Sequence, residues 1–385
     1  MRETAVKMLE GNILPFWQGL KDDECGGYYG FMDGELNLDK DAVKGCILNS
    51  RILWFFSEAA DALDRSDLLP YAHWAYAFLR EHCIDREEGG VYWSVTRDGR
   101  PEDETKHTYS QAFAVYALSA YYEASRNPDA LELAMRIFAL IEEKCADQGG
   151  YGEAFDRSFR PIANEKLSEH GAAASRTMNT LLHVFEAYSG LYRASNSPAV
   201  AQKMRGILEI FLEKVRNPGK KRLDVFFDQD YNSLIDLTSY GHDIEASWLL
   251  EWGAGLLGDD GLSARVGEMC SALADKVLAE GVREGSARNE LLDGVTDETR
   301  VWWVQAEAVV GFLRMAEKRP GNPAYRQAAE DILRFIEDKI VDKRPGSEWL
   351  NEVLPDGTRA GKPVVGPWKC PYHNGRMCLR IRGML

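Results

Sequence analysis

The stretch GGYYGFMDGEL, from Gly26 to Leu36, decides how the rest of the chain is interpreted. It joins residues that favour β-strands to the turn signal Asp33–Gly34, which is typical of a short β-hairpin. Related stretches recur at intervals of about 60 to 75 residues: GGVYWSVTRDGRP (Gly89–Pro101), GGYGEAFDRSFRP (Gly149–Pro161), RLDVFFDQDYNSL (Arg222–Leu234), NELLDGVTDE (Asn289–Glu298) and EWLNEVLPDGTR (Glu348–Arg359). A repeat with this period predicts a closed or open array of similar units.

Two helical stretches separate successive hairpins. The first of each pair is apolar on nearly all sides, as expected for an inner helix: Ile47–Leu63, Tyr109–Ala124, Thr177–Ala194, Asp243–Leu256 and Trp302–Met315. The second is more charged and carries one apolar stripe, as expected for an outer helix: Asp67–His82, Pro128–Lys144, Ala199–Val215, Leu262–Leu278 and Tyr325–Lys339. The N-terminal helix Glu3–Leu20 supplies the outer partner of the last repeat.

The repeat count predicts an all-α fold, an (α/α)6 barrel of six inner and six outer helices with short β-hairpins at one end. Closure is favoured because the inner helices are apolar nearly all round. No linker rich in Pro, Gly and Ser divides the chain, so we expect a single domain over residues 1–385.

Composition excludes several classes of function. The formal net charge is −15, and no basic cluster is present, which disfavours nucleic acid and an acidic membrane surface as partners. No apolar run reaches the roughly 18 residues of a membrane span, and the N-terminus lacks the pattern of a signal peptide. The seven cysteines show no CxxC pairing, as is usual in the cytoplasm. We expect a cytoplasmic protein, monomeric or weakly dimeric.

Polar, aromatic and titratable residues stand at the start of every predicted inner helix. They are Asn49, Ser50 and Arg51; Lys106, Tyr109 and Gln111; Arg176, Asn179 and His183; Tyr240, His242 and Glu245; Trp302, Trp303, Gln305 and Glu307; and Trp368, Lys369, Tyr372, His373 and Asn374. A closed ring would bring these six sets into one aromatic-lined pocket. Such a pocket is typical of a site for a small molecule.

Three of these segments carry a resemblance to a known family. GHDIEASWLL (Gly241–Leu250), WWVQAEAVVGF (Trp302–Phe312) and GPWKCPYHNGRMCL (Gly366–Leu379) resemble the N-acylglucosamine 2-epimerase superfamily, and within it most closely the cellobiose 2-epimerases. NSRILWFFSEAA (Asn49–Ala60), MNTLLHVFEAYSGLYR (Met178–Arg193) and ILPFW (Ile13–Trp17) add to the resemblance, which covers essentially the whole chain. The family fold is an (α/α)6 barrel, in agreement with the repeat count.

The resemblance implies a sugar 2-epimerase that inverts the carbon beside an aldehyde. The sugar ring opens, a base removes the C2 proton to give a cis-enediolate, and an acid returns a proton to the opposite face. Histidine titrates in the required range. The resemblance makes His242 and His373 the acid/base pair and His183 the group that assists ring opening or binds the reacting oxygens. No cofactor or metal is expected, and no HExxH motif or nucleotide-binding glycine pattern is present.

Supporting roles follow for other residues at the same helix starts. Glu245 lies three residues after His242, so it shares that helix face and is expected to orient the imidazole. Glu307 is expected to do the same for another histidine, and Arg51 to stabilise the enediolate charge. We expect three residues to hold the reducing-end sugar and one to stack on the second sugar of a disaccharide: Tyr109, Asn179 and Trp303, and Trp368.

Alternatives remain at this stage. Within the family, the chain could be an N-acylglucosamine 2-epimerase or a mannose/glucose isomerase, since both use similar proton transfers. From a different class, a glycoside hydrolase would need two carboxylates beside the glycosidic bond, and Asp243, Glu245, Glu307 and Glu348 are candidates. A sugar-binding protein without activity would explain the aromatic residues but not three histidines at equivalent positions of the repeat.

Overall fold

The chain, described by a computed structural model over residues 1–167 and 170–384, separates into two compact units. The first unit comprises Met1–Ile13, Arg205–Lys362 and the C-terminal segment from His373. The second comprises Leu14–Met204 and Pro363–Tyr372. Among the described residues, no helix combines the length and the apolar character needed to cross a bilayer.

Inner helices of the second unit pack side by side, each with an outer helix behind it. Helix α3 packs on α4 and α5, and α5 packs on α6 and α7. The helices that lie in this unit, wholly or in part, are α2 (Leu14–Gly19), α3 (Cys46–Leu63), α4 (Leu69–Phe78), α5 (Thr108–Ser125), α6 (Pro128–Leu140), α7 (Met178–Ser195) and α8 (Pro198–Ile210), the last continuing past Met204. Helix α5 is buried without interruption from its first residue to Tyr121, as expected for an inner helix.

The first unit repeats this arrangement. Helix α9 packs on α10 and α11, and α11 packs on α12. Its helices are α1 (Arg2–Met8), α9 (Tyr240–Leu256), α10 (Asp260–Lys276), α11 (Trp302–Lys318), α12 (Pro323–Phe335) and α13 (Tyr372–Met384, in this unit from His373). The amide of Asn12 donates to the carbonyl of Ser347, which ties the N-terminal segment to the last repeat, as the sequence predicts.

In the described chain, helices α4, α6, α8, α10 and α12 each end in a five-residue π-helical turn, and a sixth such turn joins α1 to α2. The sequence did not predict this feature. In the described chain these turns are Leu9–Ile13, Leu79–Cys83, Ile141–Cys145, Phe211–Val215, Val277–Gly281 and Ile336–Ile340. In the last five, the first and last residues of the turn are buried and at least one charged residue lies between them, as in IEEKC after α6. The wider turn keeps the apolar stripe facing inward up to the point where the chain leaves the helix.

Short strands form the predicted hairpins. In the second unit they are β1 (Phe31–Met32), β2 (Leu38–Asp39), β3 (Lys44–Gly45), β4 (Ser94–Val95), β5 (Pro101–Asp103), β6 (Lys106–His107), β7 (Ala154–Phe155) and β8 (Arg176–Thr177). In the first unit they are β9 (Arg216–Asn217), β10 (Arg222–Leu223), β11 (Phe226–Phe227), β12 (Leu237–Ser239), β13 (Val282–Arg283), β14 (Ser286–Ala287), β15 (Glu290–Leu292), β16 (Val295–Asp297), β17 (Arg300–Val301) and β18 (Glu352–Val353).

All six predicted hairpins close in antiparallel register. Three do so between named strands: β1 with β2, β4 with β5, and β15 with β16. The other three close through single bridges, Phe155 to Pro161, Phe227 to Ser233 and Val353 to Arg359.

A buried side chain in the first turn of each inner helix is hydrogen-bonded to the segment just before it. We call these six contacts the anchoring pairs. They are Asn49 Oδ1 with Tyr28 N (3.2 Å), Gln111 Oε1 with Val91 N (2.7 Å), Thr180 Oγ1 with Glu153 Oε2 (2.7 Å), Asp243 Oδ1 with Leu223 N (2.9 Å), Gln305 Oε1 with Ala287 N (2.8 Å) and Asn374 Nδ2 with Glu348 Oε2 (2.9 Å). Removing one partner of such a buried bond would leave the other unsatisfied, so each pair fixes a helix start against its hairpin.

The pair at Glu153 predicts a pH dependence of stability. The Glu153 carboxyl also accepts from the backbone N–H of Thr177 at 2.7 Å, and burial raises its pKa from the ordinary 4.5 to about 7. The folded protein therefore binds this proton more tightly than the unfolded chain, and the stabilisation present below pH 4.5 is lost as pH rises through about 7. We expect the free energy of unfolding of the wild type, minus that of Glu153→Gln, to fall between pH 5 and 8.

Urea titrations at several pH values measure this difference. The matched control is Glu143→Gln, an exposed carboxylate of the same repeat, which should leave the pH dependence unchanged. A difference between wild type and Glu153→Gln that stays constant over this range would contradict the prediction.

Candidate active site

Two histidines of the first unit contact the same tryptophan ring. His242 is in the first turn of α9, Trp303 in the first turn of α11, and His373 in the first turn of α13. The Trp303 ring centroid lies 4.8 Å from that of His242 and 5.4 Å from that of His373. Residues far apart in sequence are thus brought together, as the sequence analysis expected for these three.

Each of these imidazoles is oriented through its Nδ1 atom. Nδ1 of the half-buried His242 lies 2.9 Å from the hydroxyl of Ser239, the residue just before α9. Nδ1 of the buried His373 lies 2.7 Å from Oε1 of Glu307. A hydrogen bond at Nδ1 orients each ring, and the carboxylate at His373 favours the tautomer that carries its proton on Nδ1. Glu307 therefore orients a histidine, as expected, and that histidine is His373.

Glu245 differs from the expectation. We expected its carboxylate to orient His242, but its Oε1 atom lies 3.7 Å from Nδ1 of His373 and 2.6 Å from Nη2 of Arg376. Positions three apart on a helix are offset by about 60° around its axis, so Glu245 turns toward α13 while Nδ1 of His242 meets Ser239. Glu245 does lie close to a histidine of the cluster, as expected, but that histidine is His373 and not His242.

Arg376 compensates the charge of both carboxylates and was missed by the sequence analysis. Its Nη2 atom donates to Glu245 at 2.6 Å and to Glu307 at 2.7 Å, and all three side chains are buried. The indole of Trp248 donates to the second oxygen of Glu307 at 3.0 Å. The sequence spacing could have identified Arg376, because it follows His373 by three residues, as Glu245 follows His242.

Three ligand atoms of this cluster, from Glu245, Glu307 and His373, lie within 4.8 Å of one another, a spacing that could hold a metal ion. The guanidinium of Arg376 donates to one oxygen of each carboxylate, so a protein cation already contacts the two ligand atoms that a metal would need. The donor set therefore fits an ion-paired histidine better than a metal centre.

A second cluster lies in the second unit and is centred on Arg51. Its Nη2 atom donates to the hydroxyl of Tyr109 at 2.7 Å, and its guanidinium lies 4.2 Å from the centroid of the Phe113 ring. Burial by itself would lower the pKa of Arg51, but the neighbouring Tyr109 and Cys370 raise it above its ordinary value. Arg51 is thus a permanent buried cation, as its expected role requires.

His183 belongs to this second cluster. Its Nδ1 atom lies 2.9 Å from Oε2 of Glu186, and its ring centroid lies 5.1 Å from that of Tyr109 and 4.9 Å from that of Phe113. The hydroxyl of Tyr372 donates to the same Oε2 atom of Glu186. The sequence analysis missed the role of Glu186, although it follows His183 by three residues.

The remaining predicted residues lie at the edge of this cluster. Asn179 is half-buried in the first turn of α7, and its Oδ1 atom is buried without a hydrogen-bond partner among the described residues. Trp368 is 40% exposed, and its ring meets Tyr109 and Trp93, each at 5.8 Å between centroids. A half-exposed indole and an unsatisfied amide oxygen are the kind of groups that a polar ligand with apolar faces would cover.

Comparisons with known proteins agree with this geometry. The sequence pattern of the family described as N-acylglucosamine 2-epimerase (GlcNAc 2-epimerase) matches residues 21–375. The chain is 52% identical to a cellobiose 2-epimerase from Eubacterium cellulosolvens, over 98% of this chain and 97% of that protein. It superposes on a cellobiose 2-epimerase from Bacillus thermoamylovorans B4167 with a TM-score of 0.96 at 42% identity, covering 100% and 99% of the two chains. A sugar epimerase from a ruminal bacterium gives a TM-score of 0.98 at 45% identity, covering 100% and 98%. The structural matches confirm the predicted fold class, an (α/α)6 barrel.

Arg376 gives a testable consequence of the first cluster. Arg376→Met would leave two buried carboxylates without a cation, so we expect the free energy of unfolding to fall by about 3–5 kcal/mol. Chemical denaturation at neutral pH measures the loss. Arg380→Met is the control, since Arg380 lies one turn further along α13 and meets only the rings of Trp248 and Trp252 in the contacts described. Equal effects of the two substitutions would contradict the prediction.

Proposed function

This chain belongs to the N-acylglucosamine 2-epimerase family and is a sugar 2-epimerase, and from that premise we propose that its substrate is a β-1,4-linked disaccharide. The reaction inverts C2 of the reducing-end glucose, so that cellobiose becomes glucosyl-mannose, with lactose and mannobiose as related substrates. The support is the close similarity, over nearly the whole chain, to proteins named cellobiose 2-epimerase.

The proposed reaction moves protons only. The ring opens to expose the C1 aldehyde, which acidifies the C2 hydrogen. One group removes that proton to give a cis-enediolate, and another delivers a proton to the opposite face of C2. Substrate and product have the same oxidation state, so the chemistry requires no redox cofactor and we expect none.

The observation that carries the proposal is that His242 and His373 both contact the ring of Trp303, so that two imidazoles lie close to one another. We assign the acid and base roles to these two imidazoles. Their Nδ1 atoms are engaged by Ser239 and Glu307, so Nε2 is the atom that exchanges a proton with C2 in each. Glu245 supports His373 from 3.7 Å.

The second cluster supplies the roles that do not involve C2 directly. We propose that Arg51 stabilises the negative charge that develops on the enediolate oxygens, because it is a buried cation whose charge does not depend on pH. His183 assists ring opening. We assign the binding of the reducing-end sugar to Tyr109, Asn179 and Trp303, and stacking on the second sugar to Trp368, whose ring is partly exposed.

The competing functions have weaker support. A glycoside hydrolase needs an acid and a second carboxylate at the glycosidic bond. Glu245 and Glu307 are bound to Arg376, Asp243 accepts from the backbone of Leu223, and Glu348 accepts from Asn374. These bonds favour structural or supporting roles. An N-acylglucosamine 2-epimerase or a mannose/glucose isomerase would use the same proton carriers, and a substrate panel separates these from the proposed activity.

The proposed setting is carbohydrate metabolism in the cytoplasm, with residues 1–385 as one catalytic domain acting as a monomer or weak homodimer. All seven cysteines are free thiols, as is usual in a reducing compartment. The proposal of a single domain is supported by the way the chain is divided: the first unit is built from three separate stretches of sequence, so the chain passes between the units several times.

Incubation of cellobiose in deuterated buffer tests the reaction. We expect glucosyl-mannose that carries deuterium at C2, because the group that delivers a proton to the opposite face carries a hydron that has exchanged with solvent, not the one removed from the substrate. Mass spectrometry and proton NMR of the product give the position of the label. Epimerised product without deuterium at C2 would indicate oxidation and reduction instead, and release of monosaccharide would indicate a hydrolase.

Substitution of the two imidazoles tests the assignment of acid and base. We expect His242→Ala and His373→Ala each to lower kcat by about 100-fold to 10,000-fold. Circular dichroism should still report a folded helical protein. His82→Ala, at the end of an outer helix, is the control and should keep kcat within about twofold. Wild-type turnover in either test variant would remove that residue from the mechanism.

A further inference from the structure

A buried carboxylate outside the assigned residues links two groups of the second cluster. Glu186 lies on α7 and is 1% exposed. Its Oε2 atom meets Nδ1 of His183 at 2.9 Å and accepts the hydroxyl hydrogen bond of Tyr372. Tyr372 is fully buried and is the residue immediately before His373 in the sequence.

The hydrogen bond from Glu186 to His183 lies in a buried, aromatic environment. The imidazole is 3% exposed and has the rings of Tyr109 and Phe113 about it, with the Tyr372 ring 6.2 Å away between centroids. A carboxylate bonded to Nδ1 fixes the tautomer, orients the ring and makes the opposite nitrogen more basic. In a shell of aromatic rings the low local dielectric strengthens that effect.

We propose that Glu186 is a positioning residue, supported by Tyr372, that holds His183 with its proton on Nδ1 so that Nε2 serves sugar ring opening. This inference rests on the proposed function. Ring opening breaks the C1–O5 bond; O5 gains a proton and the C1 hydroxyl loses one, so the aldehyde forms with no net change in protons. Nε2 carries one of these two protons, and Glu186 touches neither sugar oxygen.

Tyr372 is held rigidly enough to support the carboxylate. Its ring makes edge contacts with Trp54 and Phe113, both at 5.2 Å between centroids, and the Arg51 guanidinium lies 4.9 Å from its centroid. A hydroxyl fixed in this way limits the positions that the Glu186 carboxylate can take. Loss of the hydroxyl should therefore have a smaller effect than loss of the carboxylate charge.

The test compares Glu186→Gln with Glu307→Gln, which makes the same change beside a different histidine. Enzyme-catalysed mutarotation of freshly dissolved α-cellobiose, followed by polarimetry, measures ring opening alone. We expect Glu186→Gln to catalyse mutarotation at least about 10-fold more slowly than the wild type, since the hydrogen bond between the carboxylate and the imidazole is removed. Glu143→Gln, at an exposed carboxylate outside the assigned residues, should keep the wild-type rate.

The primary isotope effect of cellobiose deuterated at C2 gives a second readout that a structural role would not produce. When ring opening becomes the slow step in Glu186→Gln, the isotope effect on kcat should fall toward 1. In Glu307→Gln, removal of the C2 proton should become slower, and the isotope effect should stay at or above the wild-type value. A slow Glu186→Gln enzyme with an undiminished isotope effect, or with normal mutarotation, would overturn the inference.

If Glu186→Gln fails to fold, mutarotation by Tyr372→Phe provides the test in its place. We expect this variant to slow mutarotation less than a folded Glu186→Gln but measurably, by about threefold to 10-fold; an unchanged rate would remove Tyr372 from the role. Labelling by the wild-type enzyme in deuterated buffer tests the proposed function separately from the role of Glu186. Absence of deuterium at C2 would sink the proposed function, whereas normal labelling with normal ring opening in Glu186→Gln would sink only this inference.

Discussion

The site depends on the hydrogen bonds that fix the first turn of each inner helix against the hairpin segment before it. Each anchoring pair lies within three residues of a side chain to which we assign a catalytic or sugar-binding role: Asn49 precedes Arg51, Gln111 follows Tyr109, Thr180 precedes His183, Asp243 follows His242, Gln305 follows Trp303 and Asn374 follows His373. Gln111 and Gln305 bond both the N–H and the carbonyl of their partner residue, which also fixes the rotation of the helix. The side chains to which we assign roles in the site thus lie next to buried hydrogen bonds, which fix the helix starts from which they project.

The two clusters differ in their electrostatics in a way that suits different tasks. In the first, two carboxylates share one guanidinium beside His373, and a carboxylate bonded to the imidazole stabilises an imidazolium whenever that ring takes up a proton. In the second, Arg51 presents a permanent positive charge among aromatic rings. The first environment favours proton uptake and release, and the second favours the stabilisation of oxygen atoms that become negative.

Periodic features were predictable from the sequence, and specific partners were not. The spacing of the Gly-rich stretches predicted the hairpins and placed the inner helices within a few residues of their observed bounds, because apolar periodicity and turn residues act locally. The partner of Glu245 was predicted wrongly, and Arg376, Glu186 and Ser239 were missed. Glu245 and Arg376 are 131 residues apart in the chain, and Glu186 and Tyr372 are 186 apart. Such contacts depend on how helices pack, which the spacing of residues along one helix does not record.

In four of the six anchoring pairs the hairpin contributes a backbone amide, at Tyr28, Val91, Leu223 and Ala287. A hydrogen bond donated by a backbone N–H does not depend on which side chain that residue carries. The hairpin segments can therefore exchange these side chains without losing the hydrogen bonds that fix the helix starts.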